Sequence, residues 1–110
     1  MKDKGLANLQ EAYKLNPDNV ELKVKIGEIY SRDQNKQEEA RQLLEQALKE
    51  DKGNAEAHIA LGKIYERKNM VDEAIKEFKL AIKLTEKPSP NAHFHLGVLY
   101  EKQKMNNEAI

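Results

Sequence analysis

Cysteine is absent from all 110 residues, which removes disulfide frameworks, thiolate zinc sites and cysteine nucleophiles together. That absence is compatible with a reducing compartment. Glycine (5) and proline (3) are scarce and aromatic side chains make up only 5%, so a many-turned all-β fold is disfavoured. Net charge is also missing, because nineteen basic residues balance nineteen acidic ones. A protein that works by neutralising phosphates carries a basic excess, so nucleic acid is disfavoured as a partner. No apolar run approaches the roughly 18 to 20 residues of a membrane span, and the first eight residues hold no apolar core of signal-peptide length. The expectation is a soluble, cytoplasmic chain of at most one compact domain.

What the chain does have is a period. Ile26-Gly27-Glu28-Ile29-Tyr30 falls on Leu61-Gly62-Lys63-Ile64-Tyr65 and then on Leu96-Gly97-Val98-Leu99-Tyr100, each step being 35 residues. Ala40, Ala74 and Ala109 repeat at nearly the same interval, as do Ala12, Ala47 and Ala81, and Leu9, Leu44 and Phe78. Independent sets sharing one interval mark a tandem array. Within a unit the pattern is helical: Ala57, Ile59, Ala60, Leu61, Ile64 and Tyr65 recur at three- and four-residue spacings, as do Val71, Ala74, Ile75, Phe78, Ala81 and Ile82. The short link Lys68-Asn69-Met70 between them requires an antiparallel hairpin. Start signals stand at Asn19, at Asn54 and at Ser89-Pro90. Helices are predicted near 3–15, 19–32, 36–50, 54–68, 71–85 and 89–103, with another beginning at 106.

Glycine inside a helix costs about 0.5 to 1 kcal/mol relative to alanine. Its placement at Gly27, Gly62 and Gly97 therefore predicts close approach of the partner helix, with Ala40, Ala74 and Ala109 as candidate contacts. Ala12, Ala47 and Ala81 would let the next unit stack. Tyr30, Tyr65 and Tyr100 would fill the seam with their hydroxyls at a polar rim.

These positions resemble the tetratricopeptide repeat (TPR) family over the whole chain. Repeat two is the best match, through Ala55-Glu56-Ala57, Leu61-Gly62, Tyr65, Asp72-Glu73-Ala74-Ile75, Phe78 and Ala81. The resemblance implies an all-α, right-handed superhelix of antiparallel helix hairpins forming a single array. Residues 1–19 would be the second helix of a preceding partial repeat, 20–54 repeat 1, 55–89 repeat 2 and 90–110 a truncated repeat 3. The family's frequent tryptophan is replaced by Lys23, His58 and His93, and its helix-ending proline survives only as Pro17. Repeat 1 carries an extra residue between its helices, and the linker at 87–90 is also one longer. Both ends lack a polar capping unit, which predicts a segment of a longer protein. Self-association through the uncapped ends is the competing expectation.

Hidden chemistry is disfavoured. His93 and His95, two residues apart on a helix, point about 200° from each other and cannot face one ion. No carboxylate at local spacing completes a ligand set with them or with His58, so no metal is expected. Paired carboxylates such as Asp72-Glu73 lie beside lysines at helical spacing and form solvated-face pairs. No phosphate loop or nucleophile elbow is present, so neither catalysis nor a cofactor is expected.

The resemblance implies that the first helix of each hairpin lines a concave groove that holds a peptide or an amphipathic helix. Counting from each glycine, the expected groove residues are Val24, Glu28, Ile59, Ala60, Lys63, Glu66, Phe94, His95 and Val98. Val24, Ile59 and Phe94 would form an apolar track along its floor; the competing reading buries them against neighbouring helices. Ser31, Arg32, Arg67, Glu101 and Lys102 follow the tyrosines along the same faces. Sixteen lysines against three arginines argue for a solvated exterior more than a dedicated anionic-ligand site. A carboxylate clamp of the co-chaperone kind is not expected, since its positions hold Val24, Glu28 and Ala60, or Ile59, Lys63 and His95 one repeat later. The function implied is a protein–protein interaction scaffold or adaptor. Alternatives are a substrate-selecting or regulatory arm of a larger enzyme, and a structural or self-assembly spacer.

Overall fold

Helix starts are set by short polar side chains that satisfy otherwise orphaned backbone donors. In the structure, a computed structural model that describes residues 2–85 and 90–108, the Asn19 side chain accepts from the Leu22 N–H at 3.1 Å and Asn54 from that of Ala57 at 3.0 Å. The elements are α1 (Lys2–Leu15), α2 (Val20–Ser31), a 3-10 turn (Gln34–Lys36), α3 (Gln37–Glu50), α4 (Ala55–Arg67), α5 (Val71–Leu84) and α6 (Pro90–Glu108). There is no strand among the described residues. The extra residue of the first hairpin is absorbed by the 3-10 turn. Its end is tied down by Gln37, whose amide donates to the carbonyls of Ser31 (2.6 Å) and Asp33 (2.9 Å). The second hairpin turns through Asn69, held at φ 59°, with the Met70 N–H bonded to the Tyr65 carbonyl at 2.8 Å.

Helix ends agree with the sequence to within about two residues except in α6. A break after 103 and a new helix at 106 were expected, whereas α6 runs unbroken to Glu108. The residue in register with Asn69 is Lys104. Lysine disfavours the left-handed conformation that asparagine tolerates, so the turn lacks its pivot. The expected cap at Ser89, the linker at 86–89 and the contact at Ala109 lie outside the described residues.

α2 packs on α3, and α4 on α5, as antiparallel pairs; α2 lies beside α4, α3 also meets α4, and α6 packs chiefly on α5. A helix-repeat superhelix results, measuring 50 × 31 × 24 Å. Its interior has two clusters. Val24, Ala40, Leu44, Ala47, Ala57 and Leu61 centre the first, and Val71, Ala74, Phe78, Ala92 and Leu99 the second, with Tyr65 packed against both.

The seam glycines act as expected in two hairpins, against a different partner. A Cβ on Gly27 would stand 2.8 Å from Leu44 Cγ, and one on Gly62 would stand 2.8 Å from Phe78 Cε2. Ala40 offers only its carbonyl oxygen at 3.5 Å to the first, and the three atoms nearest the second all belong to Phe78. The missing side chain thus admits a large residue of the facing helix, which alanine is too short to supply. Gly97 meets nothing within 4 Å. Tyr30 fills its seam with its hydroxyl accepting from Gln10 Nε2 at 2.8 Å, while Tyr100 is 42% exposed.

Candidate functional site: a cleft along the first helices

The inner faces of α2 and α4 do not close on each other along their whole length. Between them lies a cleft of about 210 Å³, walled by Glu28 and Arg32 from the α2 side and by Glu56, Ile59, Ala60 and Lys63 from α4. A wider opening of about 570 Å³ separates α4 from α6, where Lys63, Glu66 and Arg67 face His95 and Lys102. Arg67 also borders a third space of about 520 Å³ with Arg32, Gln34, Gln37 and Lys68.

Each wall is fixed from behind. Arg67 reaches across from the last turn of α4 and donates through Nη1 to the Ser31 carbonyl at the end of α2, a favourable place for a cation because that end carries the negative pole of the helix. His95 lies flat on Phe78, with ring centroids 5.3 Å apart and planes 3° from parallel, and its Nδ1 is 2.8 Å from Glu66 Oε1. The α4–α6 opening is therefore bridged by the His95–Glu66 hydrogen bond, seated on a core aromatic. Glu28 is half-buried, and desolvation followed by the nearby Glu56 charge pushes its carboxyl above the usual range.

Of the expected groove residues, Glu28, Ile59, Ala60 and Lys63 meet in the first cleft, and Lys63, Glu66 and His95 in the second. Val24, Ile59 and Phe94 do not form one open apolar track. Val24 is 2% exposed inside the first core cluster, shared with α3 and α4, Ile59 is half-buried against the second cluster, and Phe94 is 67% exposed with its ring edge-on to His95. Val98 is half-buried and lines neither cleft. Glu56 was absent from the expected set. Arg32, Arg67 and Lys102, which follow the tyrosines along the same faces, border the clefts, each standing five residues after a seam glycine. His58 sits away from the clefts, buried, with Nδ1 2.6 Å from Glu77 Oε2 and Nε2 3.3 Å from the Lys52 carbonyl. His93 is exposed on α6.

A family model described as tetratricopeptide repeat matches residues 31–93. The chain belongs to the tetratricopeptide repeat family. No curated protein sequence matches it significantly. Solved structures of MamA are similar to this TPR chain over 98% of its length. A MamA point mutant gives a TM-score of 0.71 at 28% identity, with 62% of the MamA chain covered. MamA MSR-1 gives 0.72 at 26% identity with 61% covered, and MamA AMB-1 gives 0.71 at 27% with 58% covered. This TPR chain thus spans about three fifths of the length of those MamA chains. Among its described residues no helix is long and apolar enough to cross a membrane.

Proposed function

We propose that this TPR module captures a segment of a protein partner in the cleft between α2 and α4, continued over the α4–α6 opening. Family membership supports a protein-interaction module. The observation that carries the finer reading is that Glu28, Ile59, Ala60 and Lys63, from the inner faces of two successive first helices, wall one open cleft of about 210 Å³. Such a cleft suits a peptide side chain, with Ile59 and Ala60 as apolar floor and charge on either flank. Phe94 supplies an exposed apolar anchor at the far side. We assign the lining residues a binding role and no catalytic one. The test is selection of binders from a random peptide library, followed by titration into ¹⁵N-labelled protein. Shift changes concentrated on Glu28, Ala60, Lys63 and His95 support the proposal. Changes confined to the outer helices α3 and α5 would remove it.

A further inference from the structure

The chain has three arginines, and two of them meet at the rim of the cleft. Arg32 closes α2, Arg67 ends α4, and Lys102 holds the matching position in α6, so each first helix brings one cation to the same edge. Lys63 joins them from one turn earlier. Arg67 borders all three spaces described above, and Arg32 and Lys63 border two each. Arg32, Lys63 and Lys102 make no ion pair and no side-chain hydrogen bond among the described residues, and Arg67 bonds only a neutral carbonyl. Of the carboxylates in these walls, Glu66 is already held by His95. Burial and then the Glu56 charge push the Glu28 carboxyl up, although Arg32 and Lys63 stand near enough to pull it partly back down. A chain of zero net charge thus presents four cations along one edge that form no direct ion pair among the described residues, with the half-buried Glu28 the carboxylate felt by Arg32 and Lys63. Complementing the helix C-terminal poles explains Arg67 at Ser31, but it does not explain Lys63, which stands a full turn before the helix end.

We propose that the Arg32–Arg67–Lys102 edge, with Lys63, binds an extended acidic peptide segment of the partner. This rests on the groove reading above and specifies the partner's chemistry. Packed helices lie about 8 to 10 Å apart, and an extended chain in the polyproline II form advances about 3.1 Å per residue with three residues per turn, so carboxylates three residues apart share one face and match the step from α2 to α4. Arginine's planar fork takes a carboxylate through two parallel hydrogen bonds, which a lysine cannot do.

The probe is a fluorescein-labelled peptide with glutamate at every third position, read by anisotropy beside its glutamine counterpart. The expected result is saturable binding of the glutamate peptide that weakens between roughly 50 mM and 200 mM salt, with the glutamine peptide about tenfold weaker or worse. The Arg32→Gln/Lys102→Gln double variant, which removes two side chains that hold nothing in the fold, loses about tenfold while far-ultraviolet circular dichroism is unchanged. Arg67→Lys keeps the charge and still weakens binding. Equal binding of the two peptides, wild-type affinity in the double variant, or tighter binding of a single-stranded oligonucleotide than of the glutamate peptide overturns the inference. If library-selected peptides perturb the inner faces while the glutamate peptide fails to bind, this inference falls and the groove reading stands. If neither reaches those faces, both fall.

Discussion

Gly62→Ala and Gly97→Ala place the same methyl group at the same register of two helices, and the structure predicts opposite signs. At 62 the new Cβ would lie 2.8, 2.9 and 3.0 Å from Cε2, Cζ and Cδ2 of Phe78. That ring is 0% exposed and is stacked against the His95 imidazole, so it has nowhere cheap to go. Overpacking of this kind costs about 1 to 3 kcal/mol, against about 1 kcal/mol gained in helix propensity, which leaves a net loss of about 1 kcal/mol. At 97 no atom lies within 4 Å, so the propensity gain of about 0.5 to 1 kcal/mol stands alone. The propensity terms cancel between the two variants, and their difference isolates the steric term at about 1 to 3 kcal/mol. Urea denaturation followed by circular dichroism reads it directly, provided the slopes agree. Displacing Phe78 also tilts its stacked His95, so Gly62→Ala should weaken peptide binding at the α4–α6 opening while Gly97→Ala leaves it alone. If Gly62→Ala is as stable as Gly97→Ala, the account of the seam is wrong.

Glu77→Ala strands the buried imidazole of His58 without its 2.6 Å partner and should cost about 2 kcal/mol, against less than about 0.5 for the exposed Glu73→Ala; paired urea titrations measure both. Glu28 binds its proton more tightly folded than unfolded, so between pH 4.5 and its raised value the folded chain holds the extra proton and stability falls as pH rises. Glu28→Gln should therefore be more stable than wild type at pH 7, with the advantage shrinking towards pH 4 in a series of thermal melts. A wild-type curve that rises with pH in parallel with the variant would contradict this. Phe94→Ser removes a ring that is 67% exposed, so Tm should move by no more than about 3 °C while affinity for library-selected peptides drops; calorimetry and anisotropy separate the two effects.

The array was legible because a seam needs the same small residue at the same place in every unit, and Gly27, Gly62 and Gly97 announce it at a 35-residue interval. The partner across the seam was not, because periodicity ranks positions without sizing the gap between helices. Alanine recurred as neatly as Leu44 and Phe78, yet only the longer side chains reach across. Site residues show a related limit. Val24, Ile59 and Phe94 share one register position, but burial there depends on the helices packed around it. Val24 is buried in a cluster shared with α3 and α4, Ile59 is partly buried against one drawn from α5 and α6, and Phe94 remains open. The histidine–glutamate bonds were invisible for a third reason. His58 with Glu77 and His95 with Glu66 lie 19 and 29 residues apart, on different helices, while local spacing tests only neighbours on one helix. What the sequence supplies is a register; which members of that register face solvent is decided by stacking.

Charge follows the same logic. Balanced totals and an excess of lysine over arginine point to a uniformly solvated exterior, and both are sums over the whole chain. Stacking instead sorts residues by register, and the register five after the seam glycine contains Arg32, Arg67 and Lys102 with no acidic member. Several acidic side chains are paired off, Glu38 and Glu45 with Arg41, Glu77 with His58 and, within the α4–α6 opening itself, Glu66 with His95. A neutral protein can in this way carry a positive edge that no composition reveals. Arg67→Lys separates the two ideas of what that edge does. If it only offsets helix poles, a lysine serves as well and peptide affinity is unchanged. If it grips carboxylates through a planar fork, affinity falls although no charge has been lost.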